Sequence, residues 1–306
     1  MAARKVLIDT DCGVDDAIAI MLALASPNEV DVVGITTVSG NVPLPNVIDN
    51  VLRLLTFVGR TGIPVFRGAS MPLVEPARYA KDVHGGNGFG GVQLPAPRVS
   101  EQKERAPDGI ARMARENPGL TLLTLGPLTN IALAVNLYPE LKDLVGEIVA
   151  MGGAIETGNV TRFAEFNFFA DPEAVQCVLD CGIPISLLTW DATLKVMHTE
   201  KDLIDLGFSS SHSGRLALDI QQILFGFIEK MRGVRATMLP DPLAAACLVD
   251  PSIAARILST GLRMELGQNT MRGASITQRG GGVKVFLDID KQAFDRILKR
   301  VIALKP

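Results

Sequence analysis

Residues 5–22 read KVLIDTDCGVDDAIAIML, and this stretch decides the fold class of the chain. Its apolar start, Val6–Ile8, predicts a strand, Gly13 predicts a turn, and the apolar residues that follow predict a helix. Four carboxylates lie between the strand and the helix, on Asp9, Asp11, Asp15 and Asp16. Like charges this close repel, and they are tolerated at low cost if a hard divalent cation accepts their oxygens. The stretch therefore predicts the centre of a metal-dependent active site.

Three known motifs and one structural role compete for this acidic stretch. An EF-hand loop needs a glycine at its sixth position and a glutamate at its twelfth, where the chain has Val14 and Ile20. A phosphate-binding loop needs several backbone amides and a lysine, which the stretch lacks. A haloacid-dehalogenase-type nucleophile is closer, but that class expects threonine or valine at Gly13. Helix N-capping explains one carboxylate rather than four.

Strands and helices alternate along most of the chain. The predicted strands are 5–8, 31–38, 63–66, 120–124, 147–150 and 183–188. The predicted helices are 14–25, 44–58, 108–116, 130–137, 172–180 and 214–230. This alternation predicts an α/β fold with a mostly parallel central sheet flanked by helices on both faces.

The C-terminal segment follows a different pattern. Three strands are predicted at 254–266, 271–277 and 283–287, with turns at 267–269 and 280–282 and a final helix at 291–303. These strands predict a small antiparallel appendage. The chain has no internal repeat, linker or composition break, so residues 1–306 are expected to form a single domain.

Charge and cysteine usage limit the partners and the compartment. The net charge is −3, the pI is about 5.7 and no basic block occurs, which argues against nucleic acid as a partner. No apolar run reaches about 18 residues, and the N-terminus continues directly into a strand, so neither a membrane span nor a signal peptide is expected. Four scattered cysteines match neither a redox pair nor a zinc site and predict free thiols. We expect a cytoplasmic protein.

Polar residues gather after the predicted strands. They follow at 9–16, 39–41, 125–126, 151–153 and 190–191. In open parallel sheets, ligands bind beyond the carboxyl ends of the strands, so one cleft lined by these loops is expected.

Further candidates lie outside these loops. Asp241 lies between two prolines before an apolar stretch, where an N-cap and a site role are equally plausible. Glu165 and Asn167, flanked by aromatic residues, suit a pocket that binds hydroxyl groups, and Asn159 lies in a turn just before them. His84 lies in a glycine-rich loop, for which a substrate contact is favoured over a plain surface loop. The other two histidines, His198 and His212, are expected to be solvated.

Seven segments, in order, together resemble the inosine/uridine-preferring nucleoside hydrolases, or nucleoside N-ribohydrolases. They are DTDCGVDDA at 9–17, ITTVSGN at 35–41, VHGGNG at 83–88, LGPLTNIA at 125–132, MGG at 151–153, NVTRFAEFNFFADPEA at 159–174 and PDPLAAA at 240–246. The resemblance implies the nucleoside hydrolase fold, bound Ca²⁺, and hydrolysis of a ribonucleoside to ribose and free base. It also implies a homodimer or homotetramer.

The resemblance assigns roles to individual residues. Ca²⁺ would be held by Asp11, Asp16, Asp241 and the backbone carbonyl of Leu125. Asp11 would also be the general base that takes a proton from the attacking water. The 2′ and 3′ hydroxyls would be bound by Asp15, Asn41 and Asn167, and the 5′ hydroxyl by Asn159 and Glu165. Further substrate contacts would come from His84, Met151 and Trp190. Asp9 would support the acidic loop without touching the ion.

One position departs from the family pattern. Many members carry a histidine, associated with protonation of the leaving base, directly before the last metal-binding aspartate, and others tend to carry a tryptophan. Here that residue is Pro240, which has no proton to donate. Replacement candidates are His84 and Arg232 as catalytic residues, with Arg235 and Trp190 also nearby. Turnover of common nucleosides such as inosine or uridine is therefore expected to be slow.

Three functions remain open from the sequence. The first is a calcium-dependent ribonucleoside hydrolase of nucleoside salvage. The second is an N-glycosidase for an unusual ribosyl compound, which Pro240 would permit. The third is a ribose- or nucleoside-binding protein that has lost catalysis, although binding alone does not require a general base.

Overall fold

The structure, a computed structural model, describes residues 2–305. Its strands are β1 (Arg4–Thr10), β2 (Val30–Thr37), β3 (Val65–Arg67), β4 (Leu120–Thr124), β5 (Val145–Met151), β6 (Ile185–Leu188), β7 (Met197–Thr199), β8 (Ala236–Met238), β9 (Ala254–Met264) and β10 (Ser275–Ile289). Its helices are α1 (Val14–Leu24), α2 (Leu44–Phe57), α3 (Lys81–His84), α4 (Ala106–Glu116), α5 (Thr129–Leu137), α6 (Leu141–Leu144), α7 (Phe166–Ala170), α8 (Pro172–Leu179), α9 (Trp190–Thr193), α10 (Glu200–Asp205), α11 (His212–Arg232), α12 (Pro240–Val249), α13 (Lys291–Leu298) and α14 (Arg300–Ala303).

Eight of the strands form one sheet in the order β3-β2-β1-β4-β5-β6-β10-β9. All neighbouring strands are parallel except the antiparallel pair of β9 and β10. The predicted α/β class with a mostly parallel sheet is therefore confirmed. The chain moves outward from β1 in one direction to β2 and β3, and in the other direction from β4 to β6. Such a reversal opens a crevice at the carboxyl ends of the two central strands.

Helices cover both faces of the sheet because the strand side chains alternate between the faces. Val6 and Ile8 of β1 are buried with α1, α2, α11 and α12, whereas Leu7 is buried with α4, α5 and α8 on the opposite face. Both faces of β1 are thus packed. A ligand can reach the acidic residues that follow β1 only through the crevice beyond its carboxyl end.

The C-terminal strands belong to the main sheet. Antiparallel pairing was predicted correctly, but β10 also pairs in parallel with β6, so these strands extend the central sheet. The predicted turn at 280–282 is wrong as a strand break, because these glycines lie in an irregular part of β10, with a φ of 77° at Gly280 and 94° at Gly281. Glycine adopts such angles without strain. The predicted final helix divides into α13 and α14.

The sequence analysis missed a second, two-stranded antiparallel sheet formed by β7 and β8. It places His198 against α13, where the side chain is 0% exposed and its Nε2 lies 2.6 Å from Asp295 Oδ1. The expected solvation of His198 was therefore wrong, because β7 is covered by a helix from the distant C-terminus. His212 is exposed, as predicted, and stacks on Phe57.

No helix within residues 2–305 combines the length and apolarity needed to cross a membrane.

Candidate active site

A cavity of about 690 Å³ opens beyond the carboxyl ends of the central strands. It is lined by eleven of the residues singled out from the sequence: Asp15, Asn41, His84, Leu125, Met151, Asn159, Glu165, Asn167, Trp190, Arg232 and Asp241. Asp11 and Asp16 are 0% exposed and lie behind this lining. The predicted loops therefore meet at one cleft.

The turn between β1 and α1 places the acidic residues. Asp16 accepts hydrogen bonds from Thr10 Oγ1 at 2.5 Å and from the backbone N–H of Gly13 at 2.8 Å. Gly13 is required because a Cβ there would lie 2.4 Å from His84 Nδ1. Cys12 adopts a φ of 34°, which is strained for a residue with a side chain. Contacts from elsewhere in the fold therefore hold this turn in an unfavourable local conformation.

Asn41 connects two fully buried carboxylates, those of Asp11 and Asp16. Its backbone N–H donates to Asp11 Oδ2 at 2.7 Å, and its Nδ2 donates to Asp11 Oδ1 at 3.0 Å and to Asp16 Oδ2 at 3.2 Å. The preceding Gly40 leaves the necessary space, because a Cβ there would lie 2.0 Å from Asp11 Oδ2. The loop after β2 thereby fixes the orientation of Asp11.

Asp9 lies deeper still and does not line the cavity. Its Oδ1 accepts hydrogen bonds from Thr36 Oγ1 at 2.5 Å and from Asn130 Nδ2 at 2.7 Å. Burial raises the pKa of Asp9 to about 7. The residue therefore braces β1 against β2 and α5.

A divalent cation fits three of the carboxylates near the cavity. Oxygens of Asp15, Asp16 and Asp241 lie within 4.8 Å of one another. Asp15 Oδ1 is buried and has no hydrogen-bond partner among the described residues, which is the situation a bound cation would relieve. All donors are hard oxygens, as Ca²⁺ or Mg²⁺ prefers. This trio includes Asp15, to which the resemblance assigned a ribose contact. Asp11 is outside the trio and is linked to Asp16 by Asn41 Nδ2, which donates to both carboxylates.

The pKa values of these carboxylates also indicate a site that suits a cation. Burial raises the pKa of Asp15 to about 7, and repulsion by Asp16 adds to the rise. Burial also raises the pKa of Asp11, Asp16 and Asp241 above the usual range of a carboxyl group. A cation among them would favour the ionised forms and reverse these shifts. We call Asp11, Asp15, Asp16, Asn41 and Asp241 the acidic floor.

A second set of polar groups comes from α7 and the loop before it. Glu165 caps α7 by accepting from Asn167 N at 3.0 Å and Phe168 N at 3.2 Å, and it also accepts from Gly153 N at 2.8 Å. Burial raises the pKa of Glu165 to about 7, although these backbone donors oppose the rise. The amide nitrogen of Asn167 donates to the carbonyls of Leu125 at 2.9 Å and Met151 at 3.2 Å. Its Oδ1 is thereby oriented to accept from a hydroxyl group.

Asn159 and His84 each have one polar atom engaged by the backbone. Asn159 Oδ1 accepts from Phe166 N at 2.9 Å, which leaves its Nδ2 to donate to a ligand oxygen. His84 Nδ1 accepts from Val14 N at 3.2 Å, so the proton of the neutral ring lies on Nε2. Burial lowers the pKa of His84 to about 3, which favours this neutral form.

Part of the cavity lining is apolar. We call it the apolar wall and define it as Trp190, Leu224, Phe227, Ile228, Met231 and Met238. Four of these residues lie on α11 at positions i, i+3, i+4 and i+7, which share one helix face. The sequence analysis missed them because an apolar helix face usually packs into a core. Exposure of Met231, at 70%, distinguishes this face from a core face, but that value needs the structure.

Two arginines occupy the rim, and a third does not. Arg232 is exposed, with Met197 Sδ 3.9 Å from its Nη1, and Arg78 lies 5.0 Å above the ring of Phe169. Arg78 was missed by the sequence analysis. Arg235 is not among the lining residues and is paired with Glu200 at 2.7 Å, so it is a poor candidate for base binding.

Comparisons with known proteins agree with this geometry. The model of the family described as inosine-uridine preferring nucleoside hydrolase matches residues 6–296. A pyrimidine-specific ribonucleoside hydrolase RihA from Citrobacter koseri is 36% identical, over 98% of each chain.

Two solved structures share the fold over nearly their full length. A plant nucleoside hydrolase superposes with a TM-score of 0.93 and 34% identity, covering 98% of this chain and 99% of the other. A purine-preferring ribonucleoside hydrolase from Gardnerella vaginalis has a TM-score of 0.92 and 29% identity over the same shares. With the family pattern matched along almost the whole sequence, the chain belongs to the inosine-uridine preferring nucleoside hydrolases and is a hydrolase of N-glycosyl compounds.

Proposed function

We propose that this protein is a calcium-dependent hydrolase that splits ribonucleosides into ribose and free base. The observation that carries the proposal is the unpartnered, buried Asp15 Oδ1 within a trio of carboxylates, two of which, Asp15 and Asp241, line the cavity. An arrangement of this kind is costly for a plain binding pocket, since each buried carboxylate loses its hydration. It is favourable where a cation and sugar hydroxyls take the place of water.

The cation would be held by Asp15, Asp16 and Asp241, with Asp11 and the Leu125 carbonyl as the further ligands implied by the family pattern. When bound, Ca²⁺ supplies positive charge that makes a nearby water more acidic and offsets the repulsion among the carboxylates. The oxygen-only donor set supports Ca²⁺ over a softer metal.

The residues of the chain divide the remaining work. Asp11, oriented by two hydrogen bonds from Asn41, takes the proton of the attacking water. Asp15, Asn41 and Asn167 bind the 2′ and 3′ hydroxyls, while Asn159 and Glu165 hold the 5′ hydroxyl. As the C–N bond lengthens, the sugar becomes oxocarbenium-like, and the carboxylate oxygens stabilise its positive charge.

Departure of the base has to proceed without a proton from residue 240. His84 in its neutral form presents Nε2–H as a hydrogen-bond donor and does not act as an imidazolium acid. A guanidinium remains protonated, so Arg232 would stabilise negative charge on the base by hydrogen bonding instead of proton transfer. Both contributions are weaker than full protonation, which supports the expectation of slow turnover for bases that leave poorly.

The two alternative functions are not favoured. An N-glycosidase for an unusual ribosyl compound and a catalytically inactive binding protein were both suggested by Pro240. The chain nevertheless matches ribonucleoside hydrolases along 98% of its length. The acidic floor also retains the proposed general base.

Biological context is part of the proposal. We propose a role in nucleoside salvage by a single-domain enzyme that forms a homodimer or homotetramer in the cytoplasm. The four cysteines are free thiols, which suits a reducing compartment. Light scattering of the purified protein would determine the oligomeric state.

The decisive experiment measures released ribose. Purified protein is stripped with a chelator, then assayed with inosine, guanosine, uridine and cytidine before and after Ca²⁺ is returned. We expect ribose release only with the metal, and a higher melting temperature with Ca²⁺, because a ligand at 100 times its Kd stabilises by about 2.7 kcal/mol. Asp31→Asn, which removes an exposed carboxylate paired with Lys5, serves as a control and should keep the same Ca²⁺-dependent ribose release. Undiminished release after complete removal of metal would overturn the calcium requirement.

A further inference from the structure

Asp191 is a buried carboxylate that the proposed reaction leaves unused. It is 4% exposed and follows Trp190 in α9. Its Oδ2 accepts from Ile155 N at 2.6 Å, and its Oδ1 accepts from Glu156 N at 3.0 Å and Thr157 N at 3.1 Å. Hydrogen bonds from N–H groups to a carboxylate are stronger than those between neutral groups. Asp191 therefore anchors three consecutive residues of the segment that follows β5.

This segment, residues 154–164, is the Asn159 loop. Beyond the anchor it closes on itself, because the Ala164 carbonyl accepts from Asn159 N at 3.1 Å and from Val160 N at 3.2 Å. Gly158 permits this closure, since a Cβ there would lie 2.2 Å from Ala164 O. The tip that carries Asn159 is thus a compact unit whose position depends on its attachment to the rest of the fold.

Apolar packing contributes little to that attachment. Val160 is 44% exposed and Phe163 is 39% exposed. A second cavity, of about 230 Å³, lies between the loop and the start of β10 and is lined by Ile155, Phe163 and Ile276, among others. A segment with few buried apolar contacts and space beneath it opens readily when its polar anchor is lost. In the first half of the loop only Ala154 is buried and Ile155 packs against the core, so the hydrogen bonds to Asp191 are the main polar constraint there.

We infer that Asp191 is a positioning residue that sets the place of Asn159 in the cavity and thereby controls recognition of the 5′ hydroxyl. The inference rests on the proposed function, in which Asn159 and Glu165 hold that hydroxyl. Asn159 is also tied to α7, because its Oδ1 accepts from Phe166 N at 2.9 Å, whereas Glu165 is attached through Gly153 and Phe168. Loss of Asp191 removes one of the two attachments of Asn159 and neither of those of Glu165.

The test compares a nucleoside with its 5′-deoxy analogue, using the Ca²⁺-loaded full-length protein and whichever of inosine and uridine the wild type hydrolyses faster. We expect Asp191→Ala to lower kcat/KM for the nucleoside by about 10- to 100-fold, because small displacements of positioning groups have effects of this size. For the 5′-deoxy analogue we expect a fall of at most about threefold, since the displaced contact is already absent. Asp191→Asn keeps an oxygen that can accept from Glu156 N and Thr157 N, so its kcat/KM for the nucleoside should lie between the values of the wild type and Asp191→Ala.

Asp290→Ala is the control, because Asp290 caps α13 through Gln292 N and Ala293 N outside the cavity. It should affect neither substrate. Amide hydrogen exchange at Ile155–Thr157 should accelerate in Asp191→Asn while exchange in α13 does not.

Equal losses with both substrates would overturn the inference, as would unchanged exchange at the anchored amides. If Asp191→Ala does not fold, Asp191→Asn is combined with Asn159→Ala. Non-additive losses support the inference, and additive losses contradict it. A wild type that releases no ribose from either nucleoside would overturn the proposed function itself, which the exchange measurement distinguishes from a failure of the anchor.

Discussion

The acidic floor and the apolar wall belong to one cavity, but they are held in opposite ways. In the floor, hydrogen bonds of 3.2 Å or less orient Asp11 and Asp16, and neighbouring glycines leave no space for an added methyl group. The wall is held by packing along one face of α11, and Met231 is mostly exposed. The floor therefore tolerates almost no change, whereas the wall can accept different side chains. On the proposed function, the chemistry of the sugar would be constrained and the choice of base would be adaptable.

The largest effect is expected at the proposed general base. Asp11→Asn should lower kcat by about 10²- to 10⁴-fold, the contribution that a positioned general base makes. The melting temperature should fall modestly, since the amide offers one accepting oxygen in place of two and its NH2 group faces the other donor of Asn41. Steady-state kinetics and thermal unfolding measure the two quantities. A loss of less than about tenfold would assign the proton transfer to another group.

A methyl group added next to the floor should be nearly as harmful. A Cβ in Gly40→Ala would lie 2.0 Å from Asp11 Oδ2, so the carboxylate has to move. We expect kcat/KM to fall by about 100-fold, as for other small displacements of catalytic groups. Gly62→Ala is the matched control, because a Cβ there meets nothing within 4 Å. Equal activity of the two variants would show that the floor is more adaptable than its contacts indicate.

The wall should respond more mildly and depend on the base. An aromatic pair contributes about 0.5–1.5 kcal/mol beyond its buried area, so Phe227→Ala should change kcat/KM by roughly 3- to 10-fold. The size of the change should differ between purine and pyrimidine nucleosides, while the Ca²⁺ dependence stays the same. A uniform loss across all bases, together with weaker Ca²⁺ binding, would contradict the division into floor and wall.

The smallest effect concerns the support behind the wall. His198 on β7 lies opposite Thr237 in the register of the β7–β8 sheet. Burial lowers the pKa of His198 below its usual 6.5. The unfolded chain then binds this proton more readily, so the contribution of His198 to stability is fully present above pH 6.5 and is lost with acidification until the folded-state pKa is reached. The slope from one group is at most about 1.4 kcal/mol per pH unit. In His198→Gln the fall in unfolding free energy from pH 7 to pH 5 should be smaller than in the wild type. Equal falls in the two proteins would contradict this prediction.

Local pattern in the chain was sufficient for the alternating α/β order and for most of the floor. Strand, turn and helix signals follow one another within residues 5–22, so the carboxylates of β1 and α1 are neighbours in sequence as well as in space. Glu165 and Asn167 are likewise two residues apart. The choice between an N-cap and a site role for Asp241 needed the structure. Its carboxylate lies within 4.8 Å of those of Asp15 and Asp16, and the N-cap of α12 is Leu239 instead.

Long-range packing was needed for everything that depends on residues far apart in the chain. β10 joins β6, His198 of β7 is buried against α13, and α11, which packs into the core, also lines the cavity with part of its apolar face. Asp191 illustrates the same point, because a carboxylate after a strand does not reveal which three amides it will bind. Periodicity specifies which side of an element is apolar or polar, but the partner of that side is set only when the whole chain is packed.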